Sequence, residues 1–249
     1  MTHVDPTSTT PAAVRSPRHV TRQVMDELGR RILAGHYPQR SVLPTELQLC
    51  EEFGVSRTAL REATKMLAAK GLVVARRRAG TIVQDSSLWN RLDVDVLSWM
   101  DAADPDPIFV RGLVEARLAI EPAAADLAAQ RATASDLAVI EAGFLAMQAA
   151  NPADLAAFAA ADIEFHVGVL NASHNPVFTG LANLIGRALR SSVRLTTPAS
   201  GDHRRAVSAH GEVLEAIRLR QPELARSRMR ALIDIAALDL TSASVRRGG

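Results

Sequence analysis

The 249-residue sequence predicts a mostly α-helical chain in two parts, a smaller N-terminal part closed by one short β-hairpin and a larger all-helical bundle. Three observations predict it. Aromatic residues make up only 4 % of the chain while alanine is abundant, which favours helices packed through small side chains over aromatic-rich strands. Apolar residues recur every three or four positions along most of the sequence. The period shortens to two in one place, "LVVARRRAGTIVQ", where β-branched runs flank a basic segment.

The N-terminal elements follow in order. "MTHVDPTSTTPAAVRSP" is rich in Thr, Ser and Pro and lacks an apolar h-region, so residues 1–19 are expected to be a disordered tail and not a signal peptide. Val24, Leu28 and Ile32 mark a first helix with Thr21 as its N-cap. "LPTELQLCEEFG" supplies Thr45 as cap, Glu46 in the first turn and Gly54 as the stop of a second. In "VSRTALREATKMLAAKG", Ser56 caps a third helix whose Leu60, Ala63 and Leu67 form the inner stripe, ended by Gly71. Two short helices joined by a tight Gly-containing turn are a helix-turn-helix, and the hairpin after Gly71 makes it a winged one.

Charge agrees with that reading. Residues 1–90 hold 13 Lys/Arg against 8 Asp/Glu, a balance of +5; residues 91–249 hold 16 against 19, a balance of −3. A basic third joined to a mildly acidic remainder fits a nucleic-acid module carrying a second domain. Ser56, Arg57, Thr58 and Arg61 stand at the exposed N-terminal end of the third helix, with Lys65 a turn further on, where recognition helices meet base edges and phosphates. Arg76, Arg77 and Arg78 in the hairpin would add salt-dependent contacts.

"LPTE…LCEEFGVSRTALREATKMLAAKGLV…AGTIV" resembles the DNA-binding domain of GntR-family transcription regulators, over roughly residues 20–84. The resemblance implies DNA contacts from Arg57, Thr58 and Arg61, help from Ser56, and close approach of the wing to the duplex at Gly80. Leu47 stands where many family members carry Arg, so a phosphate or base contact is missing there.

Polar "QDSSLWN" places a linker at residues 85–91, and residues 92–243 read as seven helices, over 92–101, 107–131, 134–150, 152–172, 176–196, 203–220 and 222–243. Pro152 and Pro222 sit in first turns, where proline is tolerated. Residues 244–249 read as a tail. No run of about 18 apolar residues occurs, so no membrane span is expected. Cys50 is the only cysteine, which excludes an intrachain disulfide and fits a cytoplasmic setting.

Within the bundle, several polar residues interrupt apolar stripes. Asp162 and His166 share a face with Ile163, Val169 and Leu170; His210 falls among Val207, Leu214 and Ile217; Arg117 falls among Leu113, Ile120 and Ala124. Each costs stability if buried without a partner, so together they point to a shared polar cavity. Carboxylate and imidazole could hold a divalent cation, or the histidines and Arg117 could bind an anionic, hydroxyl-rich ligand directly. Spacing alone does not separate the two.

"LVEARLAIEPAAADLAAQRATASDLAVIE", "DIEFHVGVLNASHNPVF" and "AHGEVLEAI" resemble the FCD ligand-binding domain of the FadR subfamily. Many members bind a divalent metal, Zn or Mn among them, through one Asp and three His. The D-x-x-x-H of the pattern falls on Asp162 and His166 and its next His on His210, but the expected fourth ligand position holds Leu232. Water or an effector carboxylate could complete a three-residue site; His174 reads as a helix-end residue. "WNRLDVDVLSW", "AIEPAAADLAAQRAT" and "SHNPV" are similar in detail to members answering to sugar acids, which implies an aldonate such as galactonate as effector. Taken together, these features describe a cytoplasmic homodimer that binds a palindromic double-stranded DNA operator and represses a catabolic operon until a small carboxylate effector releases it. A helical metalloenzyme acting on sugar acids or lactones, and an effector-independent DNA-binding protein, are the alternatives.

Overall fold

A computed structural model of the chain describes residues 17–100, 107–151, 154–182, 186 and 203–247. The chain divides into two compact units between Asn90 and Arg91.

The first unit holds α1 (Pro17–Leu33), α2 (Glu46–Phe53), α3 (Arg57–Ala69), β1 (Val73–Arg76) and β2 (Gly80–Val83). Helix α1 already runs from Pro17, so Thr21 lies inside it and caps nothing, and the tail expected over 1–19 is helical at residues 17–19; the remainder of that tail lies outside the described residues. Proline is compatible with a first helical turn, which is why the helix can start at Pro17, ahead of the threonine. Helices α2 and α3 start where expected. The Thr45 hydroxyl accepts from Gln48 N while the Gln48 side chain accepts from Thr45 N, a reciprocal capping box, and Ser56 accepts from Ala59 N. Gly54 closes α2 in the left-handed conformation. Val24, Leu28 and Ile32 of α1 and Leu60, Ala63 and Leu67 of α3 are buried, and the two helices pack together.

Strands β1 and β2 pair antiparallel with Val73 opposite Val83 and Arg76 opposite Gly80, and Val42 adds a single bridge to Ile82. The residues expected as a linker do not hang free. Residues 86–88 form a 3-10 turn capped by Asp85, Trp89 Nε1 donates to Gln84 O (3.1 Å), and Asn90 N donates to Lys70 O (2.9 Å). Gly71 makes this possible: its φ is +78°, and a Cβ there would stand 2.2 Å from Leu88 O.

The second unit comprises α4 (Val94–Met100), α5 (Pro107–Arg131), α6 (Ala134–Ala149), α7 (Leu155–Ala172), α8 (residues 176–182), α9 (His203–Arg218) and α10 (Pro222–Arg247). Helix α10 continues through most of the expected C-terminal tail, because the first strong helix breaker after Pro222 is Gly248. Helix α7 begins at Leu155, capped by Asp154, and Pro152 lies outside the described residues, as does the stretch expected to be helical over 187–196. Helix α5 packs along α10 and α7, α6 along α7, and α9 along α10, around a core of alanines with Ile140, Met147, Phe165, Val169, Leu214, Ile217 and Met229. Helix α7 is long and apolar enough to match a membrane span, but 61 % of that window is buried in the bundle, as expected of a central core helix.

Candidate functional site

Helix α7 can carry a polar site in the core because it sits close against α6. A Cβ added at Gly143 of α6 would lie 2.8 Å from Phe165 N, and one at Gly168 of α7 would lie 3.2 Å from Ile140 Cγ1. The α6 face thereby sets the placement of the turn that bears Asp162 and His166. Gly143→Ala is expected to cost about 1–3 kcal/mol through overpacking against backbone atoms. Gly112→Ala, where nothing lies within 4 Å, should be neutral or stabilising. Melting curves of the two variants check the contrast.

Asp162 and His166 from α7, His210 from α9 and Arg117 from α5 do converge, and all four are at least 92 % buried. A fifth member is Glu121 of α5, fully buried, which the sequence pattern did not single out although it lies one turn from Arg117. Arg117 Nε donates to Glu121 Oε1 (2.6 Å) and its Nη2 donates to His166 Nε2 (3.1 Å). His166 Nδ1 lies 2.5 Å from Glu121 Oε2, out of line for a good hydrogen bond, so the contact is chiefly electrostatic. His210 Nδ1 donates to Ala206 O (2.7 Å), which turns its Nε2 toward Asp162 Oδ1 (2.9 Å) and His166 Nε2 (3.3 Å). Asp162 Oδ1 is 3.7 Å from His166 Nε2.

Electrostatics explain the grouping. Burial pushes the Glu121 carboxyl up, but the Arg117 guanidinium and His166 overcome it and hold the group at about 2. For Asp162 burial is again opposed, by His166, His210 and Arg117, and its carboxyl lies far below the ordinary carboxylate range. One guanidinium therefore faces two carboxylates in a buried cluster, with the two imidazoles as the remaining polar groups. With Nδ1 turned to Ala206 O, His210 Nε2 meets Asp162 Oδ1 at 2.9 Å, a ring nitrogen and a carboxylate oxygen placed to share one cation.

The donor set fits a divalent cation. Ligand atoms of Asp162, His166 and His210 all lie within 4.8 Å of one another, and the outward ring nitrogens face a carboxylate and a backbone carbonyl, as in metal-ligating histidines. Leu232 lies in the apolar core and supplies no fourth ligand. His174 stands apart, with Nε2 2.8 Å from Asp136 Oδ2.

In the first unit, Ser56, Arg57, Thr58, Arg61 and Lys65 are all exposed on α3, and Arg77, Arg78 and Gly80 are exposed on the hairpin turn together with Arg76. Ser56 spends its hydroxyl on the helix cap, Lys65 pairs with Glu62 (2.8 Å), and Arg61 pairs with Glu46 (3.0 Å). Arg57 and Thr58 make no side-chain hydrogen bond within the described residues. Leu47, on the first turn of α2, is 52 % exposed. A concavity of about 490 Å³ between α1 and α3 adds Arg18 and Arg22 to this face.

Residues 20–83 match the family of bacterial regulatory proteins of the gntR type, and residues 112–234 match the FCD domain. The galactonate operon transcriptional repressor of Escherichia coli is 38 % identical over 230 residues, covering 91 % of this chain and 96 % of that protein. A putative L-lactate dehydrogenase operon regulatory protein of the same organism is 36 % identical over 180 residues, 72 % of this chain and 68 % of that one. The solved structure of Lar, which controls expression of the Listeria monocytogenes agr system, shares the fold with a TM-score of 0.64 at 20 % identity, covering 89 % of this chain and 96 % of that one. With both domain matches on one chain and a relative aligned over nearly its whole length, the chain belongs to the GntR family of bacterial transcription regulators, as a member with an FCD domain and not an enzyme.

Proposed function

We propose that the protein is a cytoplasmic, homodimeric repressor of a sugar-acid catabolic operon, released from a palindromic operator when an aldonate such as galactonate binds the FCD domain. The observation that carries this reading is the buried cluster of Arg117, Glu121, Asp162, His166 and His210. A divalent cation of the Zn or Mn type held by Asp162, His166 and His210 would act as a Lewis acid and add two positive charges beside Arg117, a setting suited to an anionic sugar acid. Hydroxyl and carboxylate oxygens of such a ligand would supply the donors that Leu232 does not, and the Arg117 guanidinium is the protein group suited to an added carboxylate. The match to a galactonate operon repressor supports the ligand class.

On the DNA side, Arg57, Thr58 and Arg61, with Ser56, Lys65, Arg77, Arg78 and Gly80, form the reading and phosphate-contacting surface. Two such surfaces read half-sites separated by a whole number of helical turns. Ligand binding to the FCD domain shifts the dimer between an operator-compatible and an incompatible arrangement, to the extent that it binds one more tightly than the other. A thermal-shift screen of aldonates and aldarates, with and without Zn²⁺ or Mn²⁺, tests the effector side. A ligand at about 100 times its Kd stabilises by roughly 2.7 kcal/mol. The expected result is a rise in Tm for an aldonate with metal that His210→Ala abolishes. No shift with any sugar acid would sink the proposal.

A further inference from the structure

We infer that Glu46 is a positioning residue for base recognition: its carboxylate holds the Arg61 guanidinium by one edge and leaves the other end for bidentate contact with a guanine. The inference rests on the DNA-reading surface proposed above and names a specificity determinant within it.

The geometry is that of a side-on carboxylate clamp. Arg61 Nε lies 3.0 Å from Glu46 Oε1 and 3.1 Å from Oε2, and Nη2 lies 3.0 Å from Oε2. The partners come from different helices, the first turn of α2 and the second turn of α3, so the clamp also ties the two halves of the helix-turn-helix together across the exposed face. Both side chains are half or more exposed, at 50 % and 62 %, so packing does not impose the pairing. Glu46 is well placed to hold still. It is the first residue of α2, its backbone follows the Thr45–Gln48 capping box, and its negative charge sits at the positive end of the helix dipole. The hydrogen bond from Arg61 keeps its carboxyl below the ordinary range.

What remains free on Arg61 decides its partner. Guanidinium carries five N–H donors, and the clamp takes the Nε–Nη2 edge. The end formed by Nη1 and the second Nη2 hydrogen matches the O6 and N7 acceptors that guanine presents in the major groove. A guanidinium already neutralised by a carboxylate has little long-range attraction for phosphate, so directional bonding to a base edge is what it retains. Leu47, next along α2, has no donor, so this corner of the surface depends on Arg61.

The test compares full-length wild type, Glu46→Gln and Arg61→Ala by selecting bound sequences from a random duplex pool, then measuring Kd for the wild-type consensus duplex and for random-sequence duplex. The proposal expects one G·C position per half-site to be selected by wild type and lost by Arg61→Ala. Glu46→Gln should weaken that preference about tenfold, within the discrimination a bidentate contact supplies. It should also bind random duplex about threefold more tightly, because a negative charge has left the DNA face. A merely structural Glu46 would change Tm without changing the base preference. If Arg61→Ala loses the G·C preference and Glu46→Gln keeps it, the clamp is overturned while the reading surface stands. If Arg61→Ala keeps the wild-type consensus and affinity, the reading surface fails at Arg61 and takes the inference with it.

Discussion

Glu121→Ala is expected to destabilise the FCD domain by about 3–5 kcal/mol, the range found when one partner of a buried ion pair is removed. The cost lies in what stays behind. Arg117 is 5 % exposed and Glu121 is fully buried, so the guanidinium would lose its hydrogen-bonded carboxylate and, of carboxylates, keep only the through-space attraction of Asp162. His166 would lose the charge beside its Nδ1 at the same time. For a domain of this size such a loss corresponds to a fall in Tm of roughly 6–20 °C. Glu121→Gln keeps the shape and an acceptor oxygen, so it should lie between. Replacing Arg117 and Glu121 together by Met and Leu should recover much of the loss, since well-packed apolar substitutes for a buried pair are often neutral or better. That double variant should melt near the wild type but gain no stability from an aldonate. A single-variant Tm within 2 °C of wild type would show that Glu121 does not compensate Arg117.

Glu121 also marks where sequence reasoning stops. Asp162, His166, His210 and Arg117 were legible because each breaks an apolar stripe at helical spacing, and the structure brings all four together. Glu121 stands immediately before Pro122, in a helix so alanine-rich that its apolar face has no sharp edge. Its burial comes from neighbouring helices, which local periodicity cannot report; the one available signal was its i+4 relation to Arg117. Glu46 stands in the first turn of α2, directly after the Thr45 cap that makes its position legible. Its second role, across fifteen residues to Arg61, depends on how α2 crosses α3. The caps Thr45 and Ser56 and the stop Gly54 were legible because capping is local chemistry. Thr21 is the exception: a cap-type residue with helix-compatible residues before it is absorbed into the helix, as happens in α1 from Pro17 onward.

The double substitution Arg57→Ala with Arg61→Ala is expected to abolish specific DNA binding while leaving the fold intact. Both side chains are exposed and neither belongs to the apolar core, so melting should change little, the solvent-screened pair with Glu46 included. An arginine that reaches a base edge contributes about 1–3 kcal/mol of discrimination, so losing Arg61 should by itself raise Kd for the selected consensus duplex by about fivefold to 150-fold, and losing Arg57 with it should raise Kd further. Binding to random duplex should fall far less, because Arg76, Arg77, Arg78 and Lys65 remain exposed and supply the sequence-independent part. Salt separates the roles. An arginine that touches phosphate releases counterions, and each such contact removed should lower the slope of log K against log salt by about 0.9; one that reads a base leaves the slope nearly unchanged. Arg57, which makes no side-chain hydrogen bond to a carboxylate among the described residues, should move the slope, whereas Arg61, clamped by Glu46, should move the specificity ratio. Fluorescence anisotropy of the two single variants and the double across 50–300 mM salt measures both quantities. A Kd within about twofold of wild type for the double variant would place the reading surface elsewhere on the winged helix.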